Sequence, residues 1–157
     1  FMLIEKDKRG IELQLLYSDE NFSVPANVYI IGMMNTADRS LAMLDYALRR
    51  RFSFFTMKPG FNTPGFQAYQ DSLGSDAFNK LIACVKQLNS KIAEDISLGE
   101  GFCIGHSYFC GLAPETANTQ TLSSIVEYEL IPLLKEYWFD EPAKIVDWSD
   151  RLRSAVK

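Results

Sequence analysis

The feature that most constrains the fold is a nearly continuous apolar run, NVYIIGMM, at residues 27–34. A strand that is buried on both faces of a parallel sheet has this character, because neither face meets water. A polar, cap-rich turn follows, and apolar residues then recur with helical spacing over residues 41–50. Shorter apolar stretches at 11–17 and 52–57 suit two further strands. The order strand, turn, helix and strand predicts a piece of an α/β sheet.

The sequence changes character at Pro59-Gly60, and the residues beyond this point are mostly typical of helices. Apolar spacing and caps predict helices over about 64–73, 76–95, 121–137 and 142–152. Pro132 lies inside the third of these and is predicted to kink it or to start a new helix. The aromatic segment 102–112 is predicted to be extended. We therefore predict an α/β fragment over residues 1–58 and a mostly α-helical subdomain over residues 59–157.

Composition excludes several classes of protein. The formal net charge of −4 is unsuited to wrapping DNA, which needs a surplus of Lys and Arg on one face. The three cysteines form an odd, sparse set, which argues against a disulfide framework and for a reducing cytoplasm. No apolar run reaches the ~20 residues of a membrane helix. We therefore predict a cytoplasmic protein with no membrane contact.

Asn35 stands where the apolar run ends, and ligands of open α/β sheets bind beyond the carboxyl ends of the strands. An amide side chain can accept from a water and donate to a phosphate oxygen together, as positioning a hydrolytic water beside a γ-phosphate requires. Alternatively, Asn35 and Asp38 only shape the turn and cap the next helix. The residues alone leave both interpretations open.

Three adjacent arginines, Arg49, Arg50 and Arg51, end the predicted helix. Successive helix residues point ~100° apart, so at most two of the three face one partner. One interpretation is that one or two reach a neighbouring subunit's nucleotide site as arginine fingers, an effect worth ~10³–10⁵ in rate. The other is a solvated basic helix end, which the helix dipole favours.

The spacing Cys103-x2-His106-x3-Cys110, together with Cys84, could supply zinc ligands. In an extended segment, however, Cys103 and His106 point to opposite faces. We favour a packed segment in which cysteines act as small apolar residues, and we predict no metal site. His106, the chain's single histidine, is predicted to be hydrogen-bonded.

The strongest resemblance is to the AAA+ superfamily, whose sensor-1 strand and arginine-finger helix look like NVYIIGMMNTADRSLAMLDYALRRRF. More narrowly, MNTADR resembles the MNxxDR signature of McrB-type GTPases, which are subunits of modified-cytosine restriction systems. The McrB helical lid is similar to PGFNTPGFQ, GFCIGHSYFCGL and IPLLKEYWFD. The resemblance covers most of the chain, with residues 1–58 as the C-terminal part of the AAA+ core and 59–157 as the lid subdomain.

The resemblance implies roles for the residues of the signature. Asn35 would be the sensor-1 residue near the γ-phosphate and the attacking water. Asp38 and Arg39 would complete the signature, with Arg39 placed for a phosphate or interface contact. Thr36 would lie at the nucleotide or subunit interface beside them.

The resemblance also assigns the basic helix end and the lid. Arg50 and Arg51 would be trans-acting arginines, and Arg49 a solvated or structural residue. His106 would be a lid residue near the nucleotide base. No arginine stands between Arg51 and Arg151, so no sensor-2 residue is predicted.

For the intact protein the resemblance implies GTP and Mg²⁺ as cofactors and a homo-oligomeric ring, expected to be a hexamer. It also implies a nuclease partner of McrC type, DNA binding through an N-terminal domain, and GTP-driven DNA translocation. No GxxxxGK[ST] occurs in the sequence, and no acidic strand end precedes Asn35. We expect both features upstream of Phe1, so this fragment alone is predicted to bind no nucleotide tightly and to hydrolyse none.

Two other functions fit the same residues. The chain could belong to an AAA+ ATPase of the MoxR or dynein-related type that remodels other proteins. It could instead be a non-catalytic assembly module, in which case substituting Arg50 or Arg51 would weaken association without an NTPase defect.

Overall fold

The computed structural model describes residues 2–35 and 46–157. The chain divides into two compact units, Phe1–Thr56 and Met57–Lys157, here called the first unit and the helical unit. The division lies close to the boundary predicted from sequence. Across the described residues, no helix combines the length and apolar character that crossing a bilayer requires.

The first unit contains only short elements in its described part. Single 3₁₀ turns cover Met2–Ile4 and Lys6–Lys8, and the helix α1 covers Tyr46–Arg49. Two antiparallel strands, β1 (Leu13–Gln14) and β2 (Asn21–Phe22), pair Leu13 with Phe22. The predicted strand over 11–17 is thus reduced to β1, and β2 lies outside the stretches that were predicted to be strands. The predicted helix over 41–50 falls partly outside the described residues.

The strands predicted at 27–34 and 52–57 do not form, and this prediction is wrong for the described chain. Residues 27–35 and 53–57 are irregular and exposed, with Tyr29, Ile31 and Met33 between 89% and 99% exposed. A strand buried on both faces needs hydrogen-bonded neighbours and packed layers. Within the described part of the first unit the sheet has two strands, β1 and β2, so these apolar segments have no sheet to join.

The helical unit forms all four helices that the sequence predicts, with the third divided into two. They are α2 (Pro64–Leu73), α3 (Asp76–Glu94), α4 (Thr119–Ile125), α5 (Ile131–Tyr137) and α6 (Pro142–Ala155). Local signals fix the junction of the first two. Thr63 caps α2 through its hydroxyl, which accepts from the backbone N–H of Phe66. Gly74 ends α2 with a left-handed φ of 57°, and Ser75 then caps α3.

α3 supplies the centre of the core. One face carries six apolar side chains that are at most 1% exposed, namely Phe78, Leu81, Ile82, Val85, Leu88 and Ile92. This is the face that its i, i+3, i+4 spacing predicts. α6 packs against α3 and contributes Trp148 and Leu152 to the same core.

A π-helical segment, Val126–Leu130, joins α4 to α5. Pro132 lacks an N–H, and its ring would collide with the carbonyl of residue 128 in a regular α-helix. Instead, Ile131 donates its N–H to the carbonyl of Val126, five residues back, which widens the turn. The prediction that Pro132 kinks the helix or starts a new one is confirmed, since α5 begins at Ile131.

The segment 102–112 is not extended, so that prediction is wrong. It forms 3₁₀ turns at Glu100–Phe102 and His106–Phe109. Its backbone groups find side-chain partners rather than a neighbouring strand. The Asn89 amide bonds both backbone groups of Ile104, at 2.7 and 2.9 Å, and the Tyr69 hydroxyl accepts the N–H of Leu112 at 2.8 Å.

Candidate functional site

Arg51 is held within its own chain. Its guanidinium pairs with Glu5 at 2.5 Å and donates to the carbonyl of Ala47 at 2.5 Å. Its side chain is 19% exposed, and its Nε is buried with no partner in the described structure. In this arrangement the charge of Arg51 is largely satisfied in cis.

Arg50 has the opposite character. It is exposed, and no ion pair to it occurs among the described residues. With Arg51 it lines a surface cavity of about 590 Å³ in the first unit, together with Glu5, Lys6 and Asp7. Because the lining carries both signs of charge, the cavity is not a dedicated anion site. Arg50 is therefore an exposed cation of this cluster, whereas Arg51 is paired within the chain.

Of the predicted sensor residues, the structure describes one, Asn35. Asn35 is exposed at the end of the irregular segment that follows residue 27. Thr36, Asp38 and Arg39 lie outside the described residues. Their roles near a nucleotide therefore stay predictions.

His106 is hydrogen-bonded, as predicted. Its Nδ1 accepts the backbone N–H of Gly60 at 3.0 Å, so the neutral ring carries its hydrogen on Nε2. The ring is half-buried and stands edge-to-face against Phe61 and Phe66, with centroids 6.2 and 5.8 Å away. The structure thus uses one ring nitrogen and the ring's contacts with two phenylalanines inside the helical unit. Its position near a nucleotide base stays a prediction.

The cysteines are engaged as thiols. Cys103 Sγ donates to the carbonyl of Asn89 at 3.5 Å, and Cys110 Sγ donates to the carbonyl of His106 at 3.4 Å. Burial raises the pKa of the Cys84 and Cys103 thiols. Zinc needs thiolates, so these environments do not favour metal binding. Within residues 2–35 and 46–157, no group of three or more His, Cys, Asp or Glu side chains could hold a metal ion.

Sequence reasoning missed a charged cluster at the end of α3, here called the Asp95 network. Asp95 accepts from Trp138 Nε1 at 2.9 Å, Lys144 Nζ at 3.0 Å and the Ser97 N–H at 2.8 Å. The hydrogen bond from Lys144, followed by that from Trp138, lowers the pKa of Asp95 to about 2. Lys144 also lies 4.8 Å from the centre of the Trp138 ring. The network ties the end of α3 to the end of α5 and the start of α6.

The sequence gives only a partial signal for this network. An Asp that follows a helix and bonds the N–H two residues on is a common turn device. Its other partners, Trp138 and Lys144, lie 43 and 49 residues away, and no local spacing brings them together.

Comparisons with known proteins show similarity to one family of lid domains and to components of two restriction enzymes. Residues 80–146 match the family described as "McrB, alpha-helical lid domain". The chain is 50% identical over 161 residues to the Type IV methyl-directed restriction enzyme EcoKMcrB subunit of Escherichia coli (strain K12), covering 96% of this chain and 35% of that protein. It is 32% identical over 91 residues to the Type II restriction enzyme BsuMI component YdiS of Bacillus subtilis (strain 168), covering 54% of this chain and 26% of that protein. The chain therefore spans about a third of the first relative's length.

Proposed function

Because the chain belongs to the McrB type of restriction-system subunit, we propose that it forms part of a GTP-hydrolysing AAA+ ring motor. The observation that carries the proposal is the 50% identity to the EcoKMcrB subunit, which extends over 96% of this chain. The relationship thus includes both the signature segment and the helical unit. GTP and Mg²⁺ are the cofactors of the intact motor.

In this proposal the first unit serves two nucleotide sites. Asn35, with Thr36, Asp38 and Arg39, acts on the nucleotide of its own subunit. Arg50 reaches the neighbouring subunit's nucleotide and stabilises the charge on the transferred phosphoryl group. The exposure of Arg50 supports this role. Arg51, paired with Glu5, either positions Arg50 or joins it after release from that pair.

The helical unit acts as the lid over the nucleotide. The family match over residues 80–146 supports this assignment, and the packed core around α3 makes the unit stiff enough to move as one piece. A stiff lid can convert a change at the nucleotide into a displacement of its whole surface.

In the cytoplasm the intact subunit assembles into a ring, which we expect to be a hexamer, and works with a nuclease of McrC type. GTP hydrolysis drives DNA translocation, and an N-terminal domain binds the DNA. That both relatives are restriction-enzyme components favours this function over a remodelling chaperone of the MoxR or dynein-related type.

The direct test compares GTP with ATP turnover by the full-length protein that contains this chain. We expect GTP turnover to dominate, and an ATP-only enzyme would contradict the proposal. A second measurement titrates GTP into the 157-residue chain by calorimetry. Because the chain contains no phosphate-binding loop, we expect no micromolar site, and such a site would overturn the division of labour described above.

A further inference from the structure

The chain runs into the helical unit through residues 58–63, here called the lead-in turn. Both polar backbone groups of Gly60 are occupied in this turn. Its N–H donates to His106 Nδ1 at 3.0 Å. Its carbonyl accepts from the N–H of Thr63 at 3.0 Å and from the Thr63 hydroxyl at 2.7 Å. The peptide groups on both sides of Gly60 are therefore fixed in orientation.

Gly60 is also matched in shape to the histidine ring. A Cβ at Gly60 would lie 3.0 Å from His106 Cε1, 3.1 Å from Nε2 and 3.2 Å from Nδ1. These distances are shorter than ordinary van der Waals contact. Because three ring atoms are almost equally near, the His106 ring occupies the space that a side chain at Gly60 would need. Gly60 does not have a positive φ, so glycine is needed here for close approach rather than for an unusual backbone conformation.

The histidine is itself anchored in the core. Its ring meets Phe61 at an interplanar angle of 74° and Phe66 at 90°. Phe61 is 3% exposed and also packs on Phe109, with centroids 5.9 Å apart. His106 therefore connects the lead-in turn to the rigid aromatic part of the core, 46 residues away along the chain.

We infer that His106 is a positioning residue that fixes the direction in which the chain enters the helical unit. The inference rests on the proposed function for its consequence. In a nucleotide-driven motor, a lid transmits a displacement only if its connection to the rest of the subunit is stiff. The hydrogen bond and the close contact at Gly60 provide this stiffness at the first ordered turn of the helical unit.

Two substitutions separate the hydrogen bond from the ring packing. His106→Phe keeps an aromatic ring against Phe61 and Phe66 but cannot accept the Gly60 N–H. His106→Asn keeps an acceptor at the position of Nδ1 but removes the ring. Ser107→Ala, at the exposed next residue, is the matched control.

The first readout is residue-resolved amide hydrogen exchange in the full-length protein. We expect His106→Phe to speed exchange at Gly60 by about three- to tenfold, as loss of one hydrogen bond implies. His106→Asn should restore most of the protection, and Ser107→Ala should leave it unchanged. Unchanged exchange at Gly60 in His106→Phe would overturn the inference, whether or not the protein hydrolyses GTP.

The second readout is steady-state GTP hydrolysis by the same variants. We expect His106→Phe to lower kcat by about tenfold with KM changed less than about twofold, because a misdirected lid affects the reacting geometry more than binding. Partial rescue of kcat by His106→Asn supports positioning. Faster exchange at Gly60 with an unchanged kcat would refute the positioning role while leaving the proposed function intact.

A double-mutant cycle tests the close contact itself. Gly60→Ala should lower kcat in the wild-type background, because the new Cβ displaces the ring. With His106→Asn, which lacks the ring, the same change should cost clearly less. Additive effects of the two substitutions would contradict a direct Gly60–His106 coupling.

Discussion

The first unit and the helical unit differ in how far they bury their apolar residues. In the helical unit, Phe78 and Leu88 are fully buried by helices from the same unit. In the first unit, Tyr29 and Ile31 belong to an equally apolar segment and are about nine-tenths exposed. A helix satisfies its backbone internally and needs only one packed face, whereas a buried strand needs neighbours on both edges. The contrast indicates that burial in the helical unit provides most of the stability of the chain, whereas the first unit leaves large apolar side chains exposed.

The largest expected effect concerns function in the first unit. Arg50→Ala in the full-length protein should lower GTP hydrolysis by about 10³-fold or more, because an arginine finger acts on the transition state. Its melting temperature should stay unchanged, since Arg50 is exposed. Arg49→Ala, also exposed, is the control and should retain activity. Equal losses of GTP hydrolysis in both variants would mean that the arginines act only as a nonspecific basic helix end.

The next effect concerns stability in the helical unit. Phe78→Ala should destabilise the chain by about 3–5 kcal/mol, because it leaves a cavity beneath α2 and α3. Tyr29→Ala, in the first unit, should change stability by less than about 0.5 kcal/mol. Denaturant unfolding of the 157-residue chain measures both. A comparable loss from Tyr29→Ala would mean that the apolar segment of the first unit is buried, and the contrast between the units would fail.

A smaller effect is expected at the Asp95 network. The pKa of Asp95 is about 2, below its ordinary value of 3.8. A depressed carboxyl pKa contributes stability that is present above about pH 4 and is lost as the pH falls toward 2. Asp95→Asn, which keeps an acceptor for Trp138 but loses the charge facing Lys144, should cost about 1–3 kcal/mol at neutral pH.

The pH profile provides the control for this prediction. The wild-type chain should lose stability between pH 4 and 2 more steeply than Asp95→Asn, and the two curves should converge at the acid end. Parallel curves would show that Asp95 does not contribute through its charge.

The smallest effect concerns the pair that holds Arg51. Glu5→Gln should change stability by at most about 1 kcal/mol, because both side chains are partly solvated. If the pair competes with a trans role of Arg51, the same substitution should raise GTP hydrolysis by at most about fivefold, which is the population shift that 1 kcal/mol allows. Reduced hydrolysis would instead show that Glu5 positions the arginines.

Local signals account for most of what sequence predicts here. The spacing of apolar residues on α3, the caps Thr63 and Ser75, and Pro132 all act within one or two helical turns. The helices of the helical unit follow from them. The strands predicted in the first unit failed because apolar character indicates burial but does not supply the neighbouring strands.

In the candidate sites, too, local features could be predicted from sequence and contacts between distant residues could not. A hydrogen-bonded His106 was predictable, but its partner Gly60 lies 46 residues away and no motif connects them. The bonds from Asn89 to Ile104 and from Tyr69 to Leu112 likewise join distant positions, so segment 102–112 was wrongly predicted to be extended. The tether of Arg51 to Glu5 spans the first unit and was also invisible in sequence.

The π segment before α5 changes the direction in which the helices around it present their side chains. Leu122, Val126, Leu130, Leu134 and Trp138 recur every four residues and are all at most 1% exposed. In a regular α-helix each such step rotates the side chain by about 40°, so the last would point far from the first. The wide turn at Val126–Leu130 absorbs part of this rotation. Removing one residue there would restore regular winding, which brings the Pro132 ring against the carbonyl four residues before it.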